Sequence, residues 1–321
     1  MQSFEALSGE FSKYFDQKHF PEEPASLYGP NEYFLRLGGK RIRPVLCLMG
    51  NELFGGITSD AWEMATAIEL FHNFTLIHDD IMDKAPLRRG METVPKKYGE
   101  NTAILAGDVM LIAAYEIMNN VNLAVIRQVQ RLFNATAKEV CEGQQYDMDF
   151  EKRDNVSLLE YLRMIELKTS VLLAASLKMG AILGGAGERN QNLIYDFGRK
   201  MGLAFQVQDD YLDAFGNPEQ FGKQPGGDIL ANKKTFLLIH ALETGSDAQK
   251  RELRSLLQYN GEDKVPKVLE LFRECGVDEW AVQLKNRFLD EALQHLQDIA
   301  VLSARKEPLR ELARFLVQRE H

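Results

Sequence analysis

Cysteine is scarce in this chain of 321 residues. Its three cysteines, Cys47, Cys141 and Cys275, show none of the short spacings used by metal-thiolate sites. So sparse and odd a set excludes a disulfide framework and fits a reducing compartment, so a cytoplasmic location is expected. Positive charge is also short. The 38 Lys and Arg against 47 Asp and Glu leave a formal net charge of −9. That balance argues against nucleic acid as a partner, which requires a basic stripe to neutralise phosphates. Long apolar runs are missing too: the most apolar tracts are interrupted around Asp108 and around Lys178, short of the ~20 residues a membrane span needs. No transmembrane segment is expected. No Pro/Gly/Ser-rich linker or charge block divides the sequence, so residues 1–321 are expected to form one large domain, although the length alone suits about two. A Walker-type phosphate loop and an EF-hand loop, with its required glycine and terminal glutamate, are both absent.

What is present is helical periodicity. Phe4, Leu7, Phe11 and Phe15 repeat at helical spacing rather than forming a signal-peptide core. Residues 61–77, 103–118, 158–181 and 192–210 repeat apolar residues every three or four positions, and no stretch sustains strand alternation. Turn-favouring pairs predict breaks at Gly29-Pro30, Gly55-Gly56, Gly184-Gly185, Gly216-Asn217-Pro218 and Pro225-Gly226-Gly227. The expected class is all-α, with long helices around a cavity, where bundles place metal and ligand sites.

Two acidic motifs stand out. DDIMD at Asp79–Asp83 recurs as DDYLD at Asp209–Asp213, each after a long apolar-periodic stretch. On a helix the first and fifth residues lie one above the other, with Cβ atoms roughly 5–6 Å apart, where like charges destabilise the helix unless a cation sits between them. Carboxylates in small number suit Mg²⁺, which keeps waters and bridges protein oxygen to substrate phosphate. Chance would supply such a pair in about 0.003 chains of this length, which disfavours a merely solvated acidic face.

Cations and polar groups accompany the acids. Gly38-Gly39-Lys40-Arg41-Ile42-Arg43 sets three cations behind a flexible glycine pair. Glycine lets backbone N–H groups approach an anion, and guanidinium grips phosphate with a two-pronged fork. A solvated charged loop is the competing reading there. His72, seven residues before Asp79, projects from nearly the same helix face. Arg88-Arg89-Gly90 supplies paired cations where that helix is expected to end. Lys168-Thr169 interrupts an otherwise apolar helix, and lysine is almost never buried unpaired, so it is expected to face a polar cavity. Gln206 lies one turn before Asp209. Beyond the second motif, Gly222-Lys223, Asp228 and Asn232-Lys233-Lys234-Thr235 form a polar, lysine-rich segment. Acidic helices beside separate basic clusters fit two polyphosphates, and the apolar remainder fits a hydrocarbon substrate.

The sequence resembles the trans-isoprenyl diphosphate synthases, the polyprenyl synthetase family. The resemblance covers nearly the whole chain: GGKRIRP, ELFHNFTLIHDDIMDKAPLRRG, AILAGDVML, GQQYDM, ELKTSVL, FQVQDDYLDAFGN and GKQPGGDILANKKT, in the family's order. It implies the isoprenoid synthase fold, antiparallel helices around a deep central cavity, and a homodimer. The implied reaction is condensation of isopentenyl diphosphate with an allylic diphosphate (dimethylallyl, geranyl or farnesyl), releasing pyrophosphate. By matching position, Asp79, Asp83 and Asp209 would bind magnesium that clasps the allylic diphosphate, with Asp80, Asp210 and Asp213 supporting directly or through water. Arg88, Lys168, Lys223 and Lys233 would contact that diphosphate. Lys40, Arg43, His72 and Arg89 would hold isopentenyl diphosphate. Thr169 and Gln206 would sit by the developing cation, Gln144 and Asp147 nearby, and Arg319 of the C-terminal tail would close over the site.

Product length is read from the residues before the first motif. DDIMD carries no inserted pair, Phe74 is bulky and Thr75 small, a pattern that in relatives resembles enzymes making geranylgeranyl diphosphate; farnesyl diphosphate is the other product considered. Phe74 is expected to help floor the product pocket. Phe71 and Phe74 share a stripe, however, and ideal geometry turns Phe74 well away from Asp79, so an ordinary core stripe competes. Two rival functions also stand. A class I terpene cyclase shares the first motif but usually carries an Asn/Ser/Glu-type second one. A non-catalytic partner subunit tends to lose a motif or its cations, and both are complete here.

Overall fold

A computed structural model of the chain describes residues 1–153, 155–216 and 226–318. It is all-α, as the periodicity predicts, apart from one two-stranded hairpin. The chain forms two compact units, Met1–Phe133 with Ser176–Gln191, and Asn134–Ala175 with Asn192–His321.

In the first unit, α1 (Phe4–Phe15) buries the predicted Leu7, Phe11 and Phe15. Helix α2 (Ala25–Arg36) runs straight through the break expected at Gly29-Pro30. Proline removes one helix hydrogen bond. Here the lost bond is the one to Ser26, near the helix start, while Pro30, Asn31, Phe34 and Leu35 form a buried face that outweighs it. Then come α3 (Ile42–Phe54) and the long α4 (Ser59–Met82), whose N-cap Thr58 accepts a hydrogen bond from the Ala61 amide. After α4 the strands β1 (Leu87–Arg88) and β2 (Met91–Glu92) pair antiparallel. Helices α5 (Val94–Tyr98) and α6 (Glu100–Met118) follow, and α4 packs along α6 and α3. By length and composition alone α6 is apolar enough to cross a membrane, which the interruption at Asp108 did not lead one to expect. Ala103, Ala106 and Met110 of this helix are buried within the protein.

Helix α7 (Leu123–Glu151) leads into the second unit. There α8 (Leu158–Ile165) opens on a capping box between Ser157 and Glu160. The helix predicted over 158–181 is interrupted by a π-helical turn, Glu166–Ser170, before α9 (Val171–Leu183). Helix α10 (Glu188–Phe215) carries the second aspartate motif near its end. The remaining described helices are α11 (Gly227–Leu230), α12 (Phe236–Thr244), α13 (Asp247–Leu257), α14 (Lys264–Glu274), α15 (Val277–Asp298) and α16 (Ser303–Gln318). Helix α12 packs on both α8 and α15, burying Phe236, Leu237 and Leu238.

Candidate functional site

The first unit builds a cationic pocket at the start of α3. Gly38 (φ 75°) and Gly39 (φ 152°) turn the chain, and Arg41 at the N-cap is itself left-handed, with φ 50°, a conformation that costs a non-glycine residue about 1 kcal/mol or more. Arg41 is held there. Its guanidinium pairs with Glu69 of α4, a buried carboxylate. It also donates to the Leu35 carbonyl at 3.2 Å and lies over the Phe15 ring at 4.9 Å. Of the three cations in this motif, Arg41 is therefore committed to the wall, and Lys40 and Arg43 line the cavity beside it.

The hairpin supplies the next two cations. Its two-residue loop, Arg89 (φ 54°) and Gly90 (φ 78°), has the both-positive pattern that matches strand twist in tight hairpins. Arg88 turns back to Asp80, with Nε 2.9 and 3.0 Å from the two carboxylate oxygens, and Asp80 is wholly buried. Arg89 goes instead to the pocket. A Cβ on Gly39 would meet Arg89 Nη2 at 2.9 Å, so the guanidinium lies close over this glycine.

Lys40, Arg41, Arg43, Glu69, His72 and Arg89 line the resulting cavity, of about 450 Å³. Arg43 Nη1 lies 3.0 Å from His72 Nε2. Guanidinium has only donors, so Nε2 accepts and the imidazole is neutral. Burial, with Arg43, Arg89, Arg88 and Arg41 around it, pushes the His72 pKa well below its usual value. Burial also brings Arg43 down to about 10, against the pull of Glu69 and Asp79. The Arg43 Nε is buried without a hydrogen-bond partner. Such a pocket, with several cations, a neutral histidine and one carboxylate, recruits an anion.

The second unit holds a larger cavity, of about 1160 Å³, lined by the predicted Asp147, Lys168, Thr169, Gln206, Asp210 and Lys233. The π-helical turn presents Lys168 and Thr169, and such bulges recur at functional sites because they displace side chains from the regular helix register. Gly143 of α7 permits the approach, since a Cβ there would meet the Lys168 backbone nitrogen at 2.3 Å. Lys168 Nζ pairs with Asp147 at 2.5 Å, and Lys233 with Asp228 at 3.1 Å. Thr169 Oγ1 donates to Gln206 Oε1 at 3.4 Å, and Gln206 Nε2 donates to Asp210 at 2.9 Å. The Tyr161 hydroxyl closes this chain by donating to the other Asp210 oxygen. Burial raises the Asp210 carboxyl to about 7, while the bonds from Tyr161 and Gln206 pull it back. Asp213 accepts the Asp228 amide at 2.9 Å. Gln144 is buried, its Oε1 without a partner. Lys223 and Arg319 lie outside the described residues.

Both acidic motifs sit where carboxylates are least welcome. Asp79 and Asp80 fall in the last turn of α4 and Asp83 is its C-cap; Asp209, Asp210 and Asp213 fall near the end of α10. Neither helix has a basic residue in its last turn, and the helix dipole makes these ends negative. Among the described residues, no three His, Cys, Asp or Glu side chains group as a metal site. A full protein cage is not required for Mg²⁺, which takes one or two carboxylates and completes its shell with water and phosphate oxygens. Oxygen donors at the negative end of a helix fit that ion.

Phe74 lies in an aromatic row, 4.8 Å from His78 and 5.6 Å from Phe71, which is itself 5.0 Å from Phe133. Glu69 and Tyr161 were not read from the sequence. Glu69 precedes His72 by three residues, a spacing that shares a helix face, so the rule that linked His72 to Asp79 reaches it. The π-helical turn that starts between Tyr161 and Lys168 breaks that register for Tyr161.

Residues 24–275 match the family described as polyprenyl synthetase. Over 299 residues the chain is 40% identical to the short chain isoprenyl diphosphate synthase of Methanothermobacter thermautotrophicus, covering 93% of this chain and 92% of that protein. It is 38% identical over 303 residues to the geranylgeranyl diphosphate synthase of Methanosarcina mazei, covering 93% and 91%. The crystal structure of a geranylgeranyl pyrophosphate synthase superposes with a TM-score of 0.95 at 44% identity, with 100% of each chain covered.

Proposed function

The chain belongs to the polyprenyl synthetase family, and from that premise we propose that it is a short-chain trans-prenyltransferase. It joins isopentenyl diphosphate to an allylic diphosphate and releases pyrophosphate. The observation that carries this reading is the Arg43–His72 pair: an arginine with a buried, unpartnered Nε beside a neutral histidine suits a diphosphate held without metal. Lys40 and Arg89 complete that grip on isopentenyl diphosphate.

The allylic diphosphate takes the opposite chemistry. Asp79, Asp83 and Asp209 would hold magnesium, with Asp80, Asp210 and Asp213 in support. When bound, the ion supplies Lewis-acid stabilisation of the charge that gathers on departing pyrophosphate. The lysines act on the same charge. Lys168 and Lys233, each poised against a carboxylate, meet the leaving oxygens as the C–O bond ionises, which lowers that barrier selectively. Arg88, held against Asp80, and Lys223 join the set of contacts to this diphosphate by their matching positions. Thr169 and Gln206 face the allylic cation with oxygen dipoles, Gln144 and Asp147 supporting them. The isopentenyl double bond then attacks the allylic carbon. The tertiary cation that results loses a proton to the departed pyrophosphate to restore a double bond, while the apolar walls exclude water.

The proposed product is geranylgeranyl diphosphate, with Phe74 limiting chain growth. We also propose that residues 1–321 act as one catalytic domain, that the protein is cytoplasmic, and that it is a homodimer. Leu105 and Ile112, 57% and 56% exposed on α6, give a second copy an apolar face to cover. Radiolabelled isopentenyl diphosphate, offered with dimethylallyl, geranyl or farnesyl diphosphate and Mg²⁺, should yield a labelled twenty-carbon product on chromatography. An inert protein, or hydrocarbon released from farnesyl diphosphate alone, would sink the reading.

A further inference from the structure

A carboxylate in the wall of an anion pocket opposes its own ligand, so Glu69 calls for a reason. Its surroundings supply one. Glu69 is 4% exposed and its Oε1 takes the Arg41 guanidinium and the Asn73 amide, the latter at 2.9 Å. Asn73 is itself buried and donates as well to the Glu69 carbonyl at 2.7 Å. One carboxylate oxygen is thus bonded within the wall, while Glu69 still lines the cavity. Arg41, its partner, occupies the left-handed backbone position between Lys40 and Arg43. Without Glu69, a largely buried guanidinium would lie unpaired beside Arg43 and Arg89, and repulsion would drive it out of the wall. The backbone turn it anchors would then relax to ordinary φ, carrying Lys40 and Arg43 with it.

We propose that Glu69 is the positioning residue of this pocket: by pinning Arg41 it fixes the Gly39–Arg43 turn, so that Lys40 and Arg43 meet a diphosphate together. The inference rests on reading the pocket as the isopentenyl diphosphate site. It makes a claim opposite in sign to simple electrostatics. Removing one negative charge from an anion pocket should tighten binding, whereas losing the anchor should weaken it.

The test is calorimetric titration of inorganic pyrophosphate into the full chain and into Glu69→Gln, in EDTA, with steady-state kinetics alongside. The expected result is weaker pyrophosphate binding by about tenfold, equivalent to about 1.4 kcal/mol. The KM for isopentenyl diphosphate should rise by a similar factor, with the allylic KM changed less than about twofold. Glu69→Asp keeps the charge but withdraws it from Arg41 by one methylene, and should weaken binding in the same direction. It serves equally if Glu69→Gln does not fold. Unchanged or tighter binding in the variant that folds, or equal rises in both KM values, would overturn the proposal, as would a wild-type chain that ignores pyrophosphate. Wild-type turnover of isopentenyl diphosphate is read separately: its failure removes the functional assignment, while the pyrophosphate comparison still judges Glu69.

Discussion

Gly143→Ala isolates the link between helix packing and catalysis. A Cβ at this position meets three backbone atoms, Lys168 N at 2.3 Å, Leu167 C at 2.7 Å and Lys168 Cα at 2.7 Å. Ordinary contact starts near 3.4 Å, so the π-helical turn must retreat from α7 by about 1 Å, and no side chain can rotate aside to absorb the shift. Stability is an ambiguous readout. Overpacking costs about 1–3 kcal/mol, but alanine in a helix regains up to about 1 kcal/mol over glycine. Turnover is cleaner, because the turn carries Lys168 and Thr169, and a misplacement of about 1 Å can reduce a rate about a hundredfold. The assay is kcat with both substrates saturating, on protein whose circular dichroism matches wild type. Gly29→Ala is the control: it lies within α2 with nothing inside 4 Å of its Cβ, and should leave kcat alone. A Gly143→Ala enzyme within about threefold of wild type would refute the argument that close backbone approach sets the lysine.

Three further outcomes can be measured. Arg88→Met leaves the Asp80 carboxylate, 0% exposed, without its counter-charge, and should lower unfolding free energy by about 3 kcal/mol in urea; adding Asp80→Asn should recover most of it. His72 is neutral in the folded protein, its pKa held well below the usual 6.5, so below that pH only the unfolded chain takes up the proton and stability falls. His72→Gln removes the penalty, and between pH 7.5 and 5.5 the wild type should lose up to about 1.4 kcal/mol more than the variant. Phe74→Ala should shift the labelled products to longer chains, and an unchanged chromatogram would return Phe74 to the core.

Much of this was legible because helices repeat at fixed angles. The 3.6-residue period placed the helices of 61–77, 103–118 and 192–210, and the glycine pairs at 55–56 and 184–185 marked true ends. Pro30 misled because a proline near a helix start removes a single bond, which a buried face outweighs. The π-helical turn was invisible because the residues on either side keep apolar helical spacing and the polar ELKTS segment reads as one more helix face; only the hydrogen-bond ladder shifts. Within the candidate pocket, charge and helix face singled out the Lys40–Arg43 cluster, His72 and the Arg88-Arg89 pair, and the resemblance chose Lys40, Arg43, His72 and Arg89 among them. Arg41, of the same charge two residues from Arg43, turns out to serve the wall. Charge alone cannot separate such neighbours, since the distinction lies in a left-handed φ and a partner 28 positions away; only the family resemblance left Arg41 out. Glu69 escaped for the related reason that an acid in a cationic pocket contradicts the charge rule used to find the pocket.

That contradiction explains how a chain with net charge −9 binds polyphosphate at all. Net charge governs the distant field, which salt screens within about 10 Å. At contact range only the wall matters. Arginines crowded around His72 repel one another, and each would drift toward solvent unless something inside the protein held it. Glu69 holds Arg41 and Asp80 holds Arg88, both carboxylates being buried, so two acids are used up inside the structure to keep cations in place. Substituting Glu69 therefore removes negative charge from the protein and yet should make its anion pocket weaker, not stronger. An anion pocket built this way needs acidic residues in proportion to its arginines, and a low isoelectric point is no argument against it.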